Sequence, residues 1–253
     1  MKRSEIMRIV AINSSMRKGR TYELLNNVVS KLPYDSEIIN LKDYNIKFCL
    51  GCENCLKRDK CVINDDMEFL MNKILEADGL ILSSPVYIEN VSGLLKTFLD
   101  RTCKWYHRPP LLGKPVLLVA TTAGSALKSV LNYMEKVVIS WGMKPCGKIG
   151  KKISEKREVN ERDIEKFIKA LENPNSREYV GLIRLMRFQV QKAMAKNVIK
   201  IDKEYWRRTR LLEARYFYEI KADPLSQLIA ASFGKFLSNK IGENVAQNSL
   251  NLD

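Results

Sequence analysis

The sequence predicts a doubly wound α/β fold with a five-stranded parallel sheet, and three observations carry that prediction. Short β-branched apolar runs alternate with segments of helical periodicity as far as residue 173. The runs are apolar throughout rather than alternately polar, as strands covered on both faces require. The chain has 253 residues, 45% of them apolar, which suffices for a full core as one large domain or as a domain with an appendage.

The elements follow in order. "IMRIVAIN" is the first strand, "YELLNNVVSKL" the first helix and "SEIINL" the second strand. "DDMEFLMNKILEA" has acids at its first turn and an apolar face, so it reads as a capped helix leading into the strand "GLILSS". "SGLLKTFLDRTCKW" is predicted as one helix, "PVLLVATT" as a strand, "ALKSVLNYMEKVVISW" as a helix and "KPCGKIG" as the last strand. "NERDIEKFIKALEN" completes the domain, and "NPNS" reads as a linker.

Residues 1–173 are therefore expected to form the α/β domain and 178–253 a mainly helical extension. In the extension "REYVGLIRLMRFQVQKAMAKNVI" and "DPLSQLIAASFGKFLSNKI" are amphipathic, with Pro224 at a helix start. Tyr205, Trp206, Tyr216, Phe217 and Tyr218 lie between them. Packing and homo-oligomerisation, as a dimer or tetramer, is the favoured role. An acceptor pocket and contact with an anionic membrane surface are the alternatives.

The N-terminus holds too few apolar residues for a signal-peptide core, and no run is long enough to span a membrane, so a cytoplasmic protein is expected. Net charge is +14, shared evenly between residues 1–150 and 151–253 with acids interleaved. No basic stripe, zinc finger or RNA-recognition signature accompanies it, which argues against a nucleic-acid partner. A basic surface that attracts phosphorylated cofactors is the simpler reading.

Ligands of doubly wound sheets sit beyond the carboxyl ends of the strands. Three loops leave those ends here. "NSSMRKGRT" offers the hydroxyls of Ser14 and Thr21, the cations Arg17 and Arg20, and a helix N-terminus suited to phosphate. It is neither a Walker loop nor a three-glycine dinucleotide loop. "SPVYIEN" sets Pro85, Val86, Tyr87 and Asn90 after a buried strand, where an aromatic and an amide suit a flat ring. "TTAGS" places Thr122 and Gly124 where backbone can approach a ligand closely. Each loop taken singly also reads as an ordinary turn.

"CLGCENCLKRDKC" gathers Cys49, Cys52, Cys55 and Cys61 in one run. In a reducing compartment such a run is metal-binding or catalytic rather than a disulfide framework. Cys103 and Cys146 lie outside it and read as buried apolar residues. The one histidine, His107, reads as a solvated or hydrogen-bonded loop residue, and Trp105 and Tyr106 as packing or subunit-contact residues.

Taken together, the three loops, "KTFLDR" and "CLGCENCLKRDKCVINDDM" resemble the flavodoxin-like NAD(P)H-dependent FMN reductases, in their iron-sulfur flavoprotein branch. The resemblance covers roughly residues 7–150. It implies that "NSSMRKGRT" holds the FMN phosphate, that "SPVY" and "TTAG" hold the flavin ring, and that a compact cysteine motif precedes the "DDM" helix. The chain departs from the family at Asn13 for glycine, Ser15 for proline, Met16 for arginine and Arg20 for asparagine.

Three thiolates spaced by two residues and a fourth downstream suit a four-iron four-sulfur cluster. Zinc sites more often show two separated Cys-x-x-Cys pairs, and free thiols are the other alternative. The implied function is an FMN-dependent oxidoreductase or electron-transfer flavoprotein. It would take electrons from NADH or NADPH, relay them between flavin and cluster, and deliver them to a small-molecule or protein acceptor. The alternative is a non-catalytic redox or metal sensor with the cysteine loop as its switch. No catalytic side chain is required, since the cofactor carries the chemistry.

Overall fold

The computed structural model describes residues 7–156 and 158–250. The apolar runs form five parallel strands: β1 (Arg8–Asn13), β2 (Asp35–Asn40), β3 (Gly79–Pro85), β4 (Pro115–Thr122) and β5 (Lys144–Lys152). Their spatial order is β2-β1-β3-β4-β5, the flavodoxin-like winding, in which the chain reverses direction across the sheet between β1 and β3. Every residue of β3 and β4 is buried, which is why these strands are apolar without alternation.

Alternate side chains feed two cores. Val10, Ile12, Leu80, Leu82 and Leu118 face one side, under α3 (Met67–Glu76), α4 (Gly93–Arg101) and α6 (Leu127–Ser140). Ile9, Ala11, Ile81, Leu117 and Val119 face the other, under α1 (Arg20–Val29) and α7 (Glu161–Glu172). Asn160 and Asp163 form a capping box that starts α7 where the sequence places it.

Two helical expectations are corrected. The helix expected over 92–105 breaks at Thr102 into α4 and the short α5 (Cys103–His107). Within the cysteine loop the chain makes an unexpected turn of helix, α2 (Asn54–Lys57).

In the extension, α8 (Leu182–Asn197) begins later than its periodicity predicts. Glu178–Tyr179 instead forms a two-residue strand, β6, parallel to β7 (Ile220–Lys221). Between them lie α8 and α9 (Lys200–Arg208), and α10 (Pro224–Leu250) follows. A third core of Val180, Leu185, Phe188, Trp206, Tyr216 and Phe217 also takes in Ile139 of α6. The extension grips the end of α5 and the segment after it by their carbonyls. Gln191 donates to Tyr106 O at 2.6 Å, Trp206 to His107 O at 2.7 Å and Tyr205 to Pro109 O at 2.7 Å. Among the described residues no helix is long and apolar enough to cross a membrane.

Candidate functional site

The winding order sets β1, β3 and β4 side by side, so the three loops anticipated from sequence meet at one end of the sheet. Buried hydroxyls join them. Ser14 donates to Ser83 O at 2.8 Å, Ser92 donates to Ser14 O at 3.0 Å, and Ser92 N donates to Ser84 Oγ at 3.0 Å. The Thr21 and Thr121 hydroxyls share a hydrogen bond of 2.6 Å, and Val86 N donates to Thr121 O at 2.8 Å.

Local chemistry accounts for two departures from the family pattern. Asn13, in the glycine position, accepts from Ser15 N at 3.2 Å and donates to Asn40 Oδ1 at 3.0 Å, so its side chain fixes the turn. Ser15, in the proline position, donates to Arg17 O at 2.8 Å.

Ser14 and Thr21 are buried in this network, whereas Arg17 and Arg20 are exposed. Arg20 pairs with Glu23 at 3.3 Å, and the Arg17 side chain lies over Gly19. Gly19 caps α1 without a side-chain hydrogen bond, so the first-turn N–H groups have no capping side chain and can meet an anion. Beside it opens a cavity of about 270 Å³ lined by Arg20, Asn27, Thr121, Lys151, Lys152 and Lys156 among others.

Pro85 is buried at the end of β3, and Tyr87 and Asn90 are exposed beyond it. Tyr87 and Asn90 exchange both backbone hydrogen bonds across a two-residue hairpin, at 2.9 and 3.0 Å. Its central residues, Ile88 and Glu89, have φ of 45° and 60°, the pattern of a type I′ turn without glycine. Ser125 reaches across to Glu89 at 3.1 Å. Thr122 fixes its own loop by donating to Ser125 O at 2.8 Å and accepting from Gly124 N at 3.1 Å. A Cβ at Gly124 would meet nothing within 4 Å. A helix end open to anions, adjacent cations and a glycine facing open space fit FMN.

The cysteine loop is closed at its base. Asp66 accepts from Asn45 N at 2.7 Å, and Asp65 accepts from Lys47 N at 2.9 Å and from Met67 N at 3.1 Å. Arg101 grips Asp65 at 2.5 and 3.0 Å, donates to Lys47 O at 2.8 Å and reaches Cys61 Sγ at 3.5 Å. Each interval between cysteines contains one left-handed residue: Gly51, Glu53 and Asp59, at φ of 63°, 58° and 58°. Those turns coil the loop.

Cys49, Cys52 and Cys61 are exposed and Cys55 is half-buried. The described side chains do not converge into a metal-holding group. The donor set itself suits iron and sulfide, being four thiols on one loop pinned at both ends. Hydrogen bonding from Asn54 lowers the Cys52 pKa.

Cys103 corrects its sequence reading. It is only half-buried, and it lies close enough to Cys55 for the two thiols to interact. That interaction, helped by the Arg108 charge against the opposing effect of burial, lowers the Cys55 pKa to about 6 and raises that of Cys103. Cys146 is buried as expected. Trp105 is buried edge-to-face on Trp141 at 5.2 Å, a packing residue as expected.

His107 Nδ1 lies 2.9 Å from Asp202 Oδ2, within hydrogen-bonding distance. Asp202 also accepts from Arg108, which donates in turn to the carbonyls of Cys55 and Leu56. Sequence reasoning missed Arg108 and Asp202, and with them Ser83 and Ser92.

This winding, with its ligand face at the β1/β3 crossover, defines a flavodoxin-like α/β protein. Residues 7–154 match the NADPH-dependent FMN reductase family. The chain is 36% identical over 146 residues to an iron-sulfur flavoprotein of Archaeoglobus fulgidus, 56% of this chain and 66% of that one. It is 33% identical over 181 residues to an iron-sulfur flavoprotein of Clostridioides difficile, 66% of this chain and 80% of that one. It is 30% identical over 122 residues to an NADH-dependent FMN reductase of Pseudomonas putida, 47% of this chain and 61% of that one. The chain thus spans just under two thirds of the Archaeoglobus relative, and 49% of a second iron-sulfur flavoprotein from that organism. A flavone reductase structure shares the fold, with a TM-score of 0.51, 16% identity and coverage of 66% of this chain and 64% of that one. The chain belongs to the NADPH-dependent FMN reductase family, in its iron-sulfur flavoprotein branch.

Proposed function

We propose that this chain is an FMN-dependent oxidoreductase that draws electrons from NADH or NADPH and relays them between flavin and a four-iron four-sulfur cluster on Cys49, Cys52, Cys55 and Cys61. The observation that carries the reading is the meeting of three strand-end loops around an uncapped helix N-terminus, on a chain whose relatives are named iron-sulfur flavoproteins.

FMN, when bound, supplies hydride acceptance and electron release in ones or twos. The chain supplies position and charge. The α1 amides, Arg17, Arg20 and the loop around Ser14 and Thr21 would hold the phosphate. Pro85, Val86, Tyr87, Asn90, Thr122 and Gly124 would bear on the ring, with backbone closeness allowed at Gly124. Lys151, Lys152 and Lys156, in the cavity beside α1, suit the phosphates of a dinucleotide. Arg101 would hold the Cys61 end of the cysteine loop.

In this reading residues 1–173 form the FMN domain, 178–253 an extension that braces it, and the protein works in the cytoplasm as a homodimer or homotetramer. The contact between Cys55 and Cys103 favours one second reading, a thiol-based redox sensor. Mixing the protein with NADH or NADPH and an artificial acceptor separates the two. Loss of the near-ultraviolet absorbance of the nicotinamide at a catalytic rate supports the oxidoreductase, and binding without oxidation rejects it.

A further inference from the structure

A second cavity, of about 270 Å³, lies between the cysteine loop, α3, α5 and α9, away from the three flavin loops. Its lining mixes the apolar Met67, Met71, Leu75 and Trp105 with the cations Lys60, Arg101, Lys104, Arg108 and Arg208, and it borders the cysteine run at Cys55 and Cys61. Three acids also line it, Asp59, Asp65 and Glu68. Two of these are engaged: Asp65 is locked to Arg101 at 2.5 Å, and Asp59 lies 3.3 Å from Arg108 and 3.8 Å from Lys104.

Lys60 and Arg208, by contrast, have no acidic partner among the described residues. Arg208 lies over the Tyr205 ring at 5.7 Å, at the rim. Two further donors are unmet. Arg101 and Arg108 are 7% and 5% exposed, and the Nε of each lacks any hydrogen-bond acceptor. Both Nε atoms are sealed from solvent, so the charges open to a ligand are those of Lys60 and Arg208.

We propose that this cavity is a binding site for a small flat organic anion, an aromatic carboxylate of one or two rings. The volume sits at the small end of ligand pockets, which suits a ligand of one or two rings. Adaptable methionines and a tryptophan suit a ring, while the surplus of cationic lining suits a carboxylate. Tyr205 and Arg208 come from α9, beyond the part of the chain that matches the family. The extension therefore closes one side of a site whose remaining lining belongs to the part of the chain that matches the family.

Titration calorimetry on the full-length protein as purified tests this with two probes, 2-naphthoate and the neutral 2-naphthalenemethanol. The naphthoate is expected to bind about tenfold more tightly than the alcohol, and less tightly as salt is raised. Arg208 is exposed, so its replacement leaves the core intact. Arg208→Glu is expected to weaken the naphthoate about tenfold and leave the alcohol unchanged, and Arg208→Lys to recover most of the affinity. No binding of the naphthoate, equal affinity for both probes, or an Arg208→Glu protein that binds like wild type would each overturn the proposal. The measurement needs neither bound flavin nor turnover, so its failure leaves the oxidoreductase reading standing, and an absence of nicotinamide oxidation leaves this site standing.

Discussion

Arg101 and Asp65 face each other as a buried, two-point ion pair, with N···O distances of 2.5 and 3.0 Å and side chains 2% and 1% exposed. They join the end of α4 to the closing turn of the cysteine loop. Burial alone would raise the Asp65 pKa. The Arg101 hydrogen bonds, with those from Lys47 N and Met67 N, outweigh that and lower it. A lowered folded value means that the stabilisation is fully present above the ordinary carboxylate pKa of about 3.9 and is lost as pH falls through the folded value. Urea unfolding between about pH 6 and pH 2 should therefore show an acid-limb loss of stability that is shallower in Asp65→Asn. Equal slopes would rule out this pair as a source of the acid sensitivity.

Asp202 ties the extension to the cysteine loop through Arg108 and is 1% exposed. Replacing it by alanine leaves Arg108 buried without its main counter-charge, an effect of about 3 kcal/mol. The expected outcome is a lower thermal midpoint together with faster proteolysis between α8 and α10. A drop in midpoint with unchanged proteolysis would place the lesion elsewhere.

Ile88 has φ of 45° and is 98% exposed, so its side chain gains almost nothing from burial in return for left-handed backbone. A β-branched residue is poorly suited to that conformation. Ile88→Gly is expected to raise unfolding stability by about 1 kcal/mol, the typical cost of the left-handed conformation in an L-residue less the greater chain entropy of glycine. Urea denaturation checks it, and a less stable variant would mean that Ile88 makes contacts this chain alone does not supply.

Thr121 and Thr21 share their hydroxyl hydrogen bond while both are buried. Thr121→Val keeps the shape of the side chain and strips Thr21 of its partner, at a cost of about 1 to 3 kcal/mol. Flavin affinity, read by quenching of FMN fluorescence, should fall with stability, because the bond joins the phosphate loop to the end of β4. Unchanged affinity in a destabilised variant would separate the weld from the site.

Much of this was legible in the residues themselves. "PVLLVATT" coincides with β4, because a strand buried on both faces leaves an unbroken apolar run bounded by polar turns. The three loops were legible because each follows such a run, and the winding order then brought them together. Other features left no local signal. The break at Thr102 interrupts a continuous helical periodicity, and β6 and β7, at two residues each, are too short to show a period. The contacts of Cys103 with Cys55, and of Asp202 with Arg108, join residues far apart in the chain. Ser83 lies inside what looks like an ordinary strand, so its place under the loops emerges only from packing.

The central claim is that one chain holds a flavin and an iron-sulfur cluster. Flavin, iron and acid-labile sulfide assayed on one sample purified without oxygen, beside its absorption spectrum, test it most directly. One flavin with about four iron and four sulfide per chain is the expected result, the metal being lost in Cys55→Ser. Flavin without iron would contradict the relay, and a sample with neither would contradict the whole account.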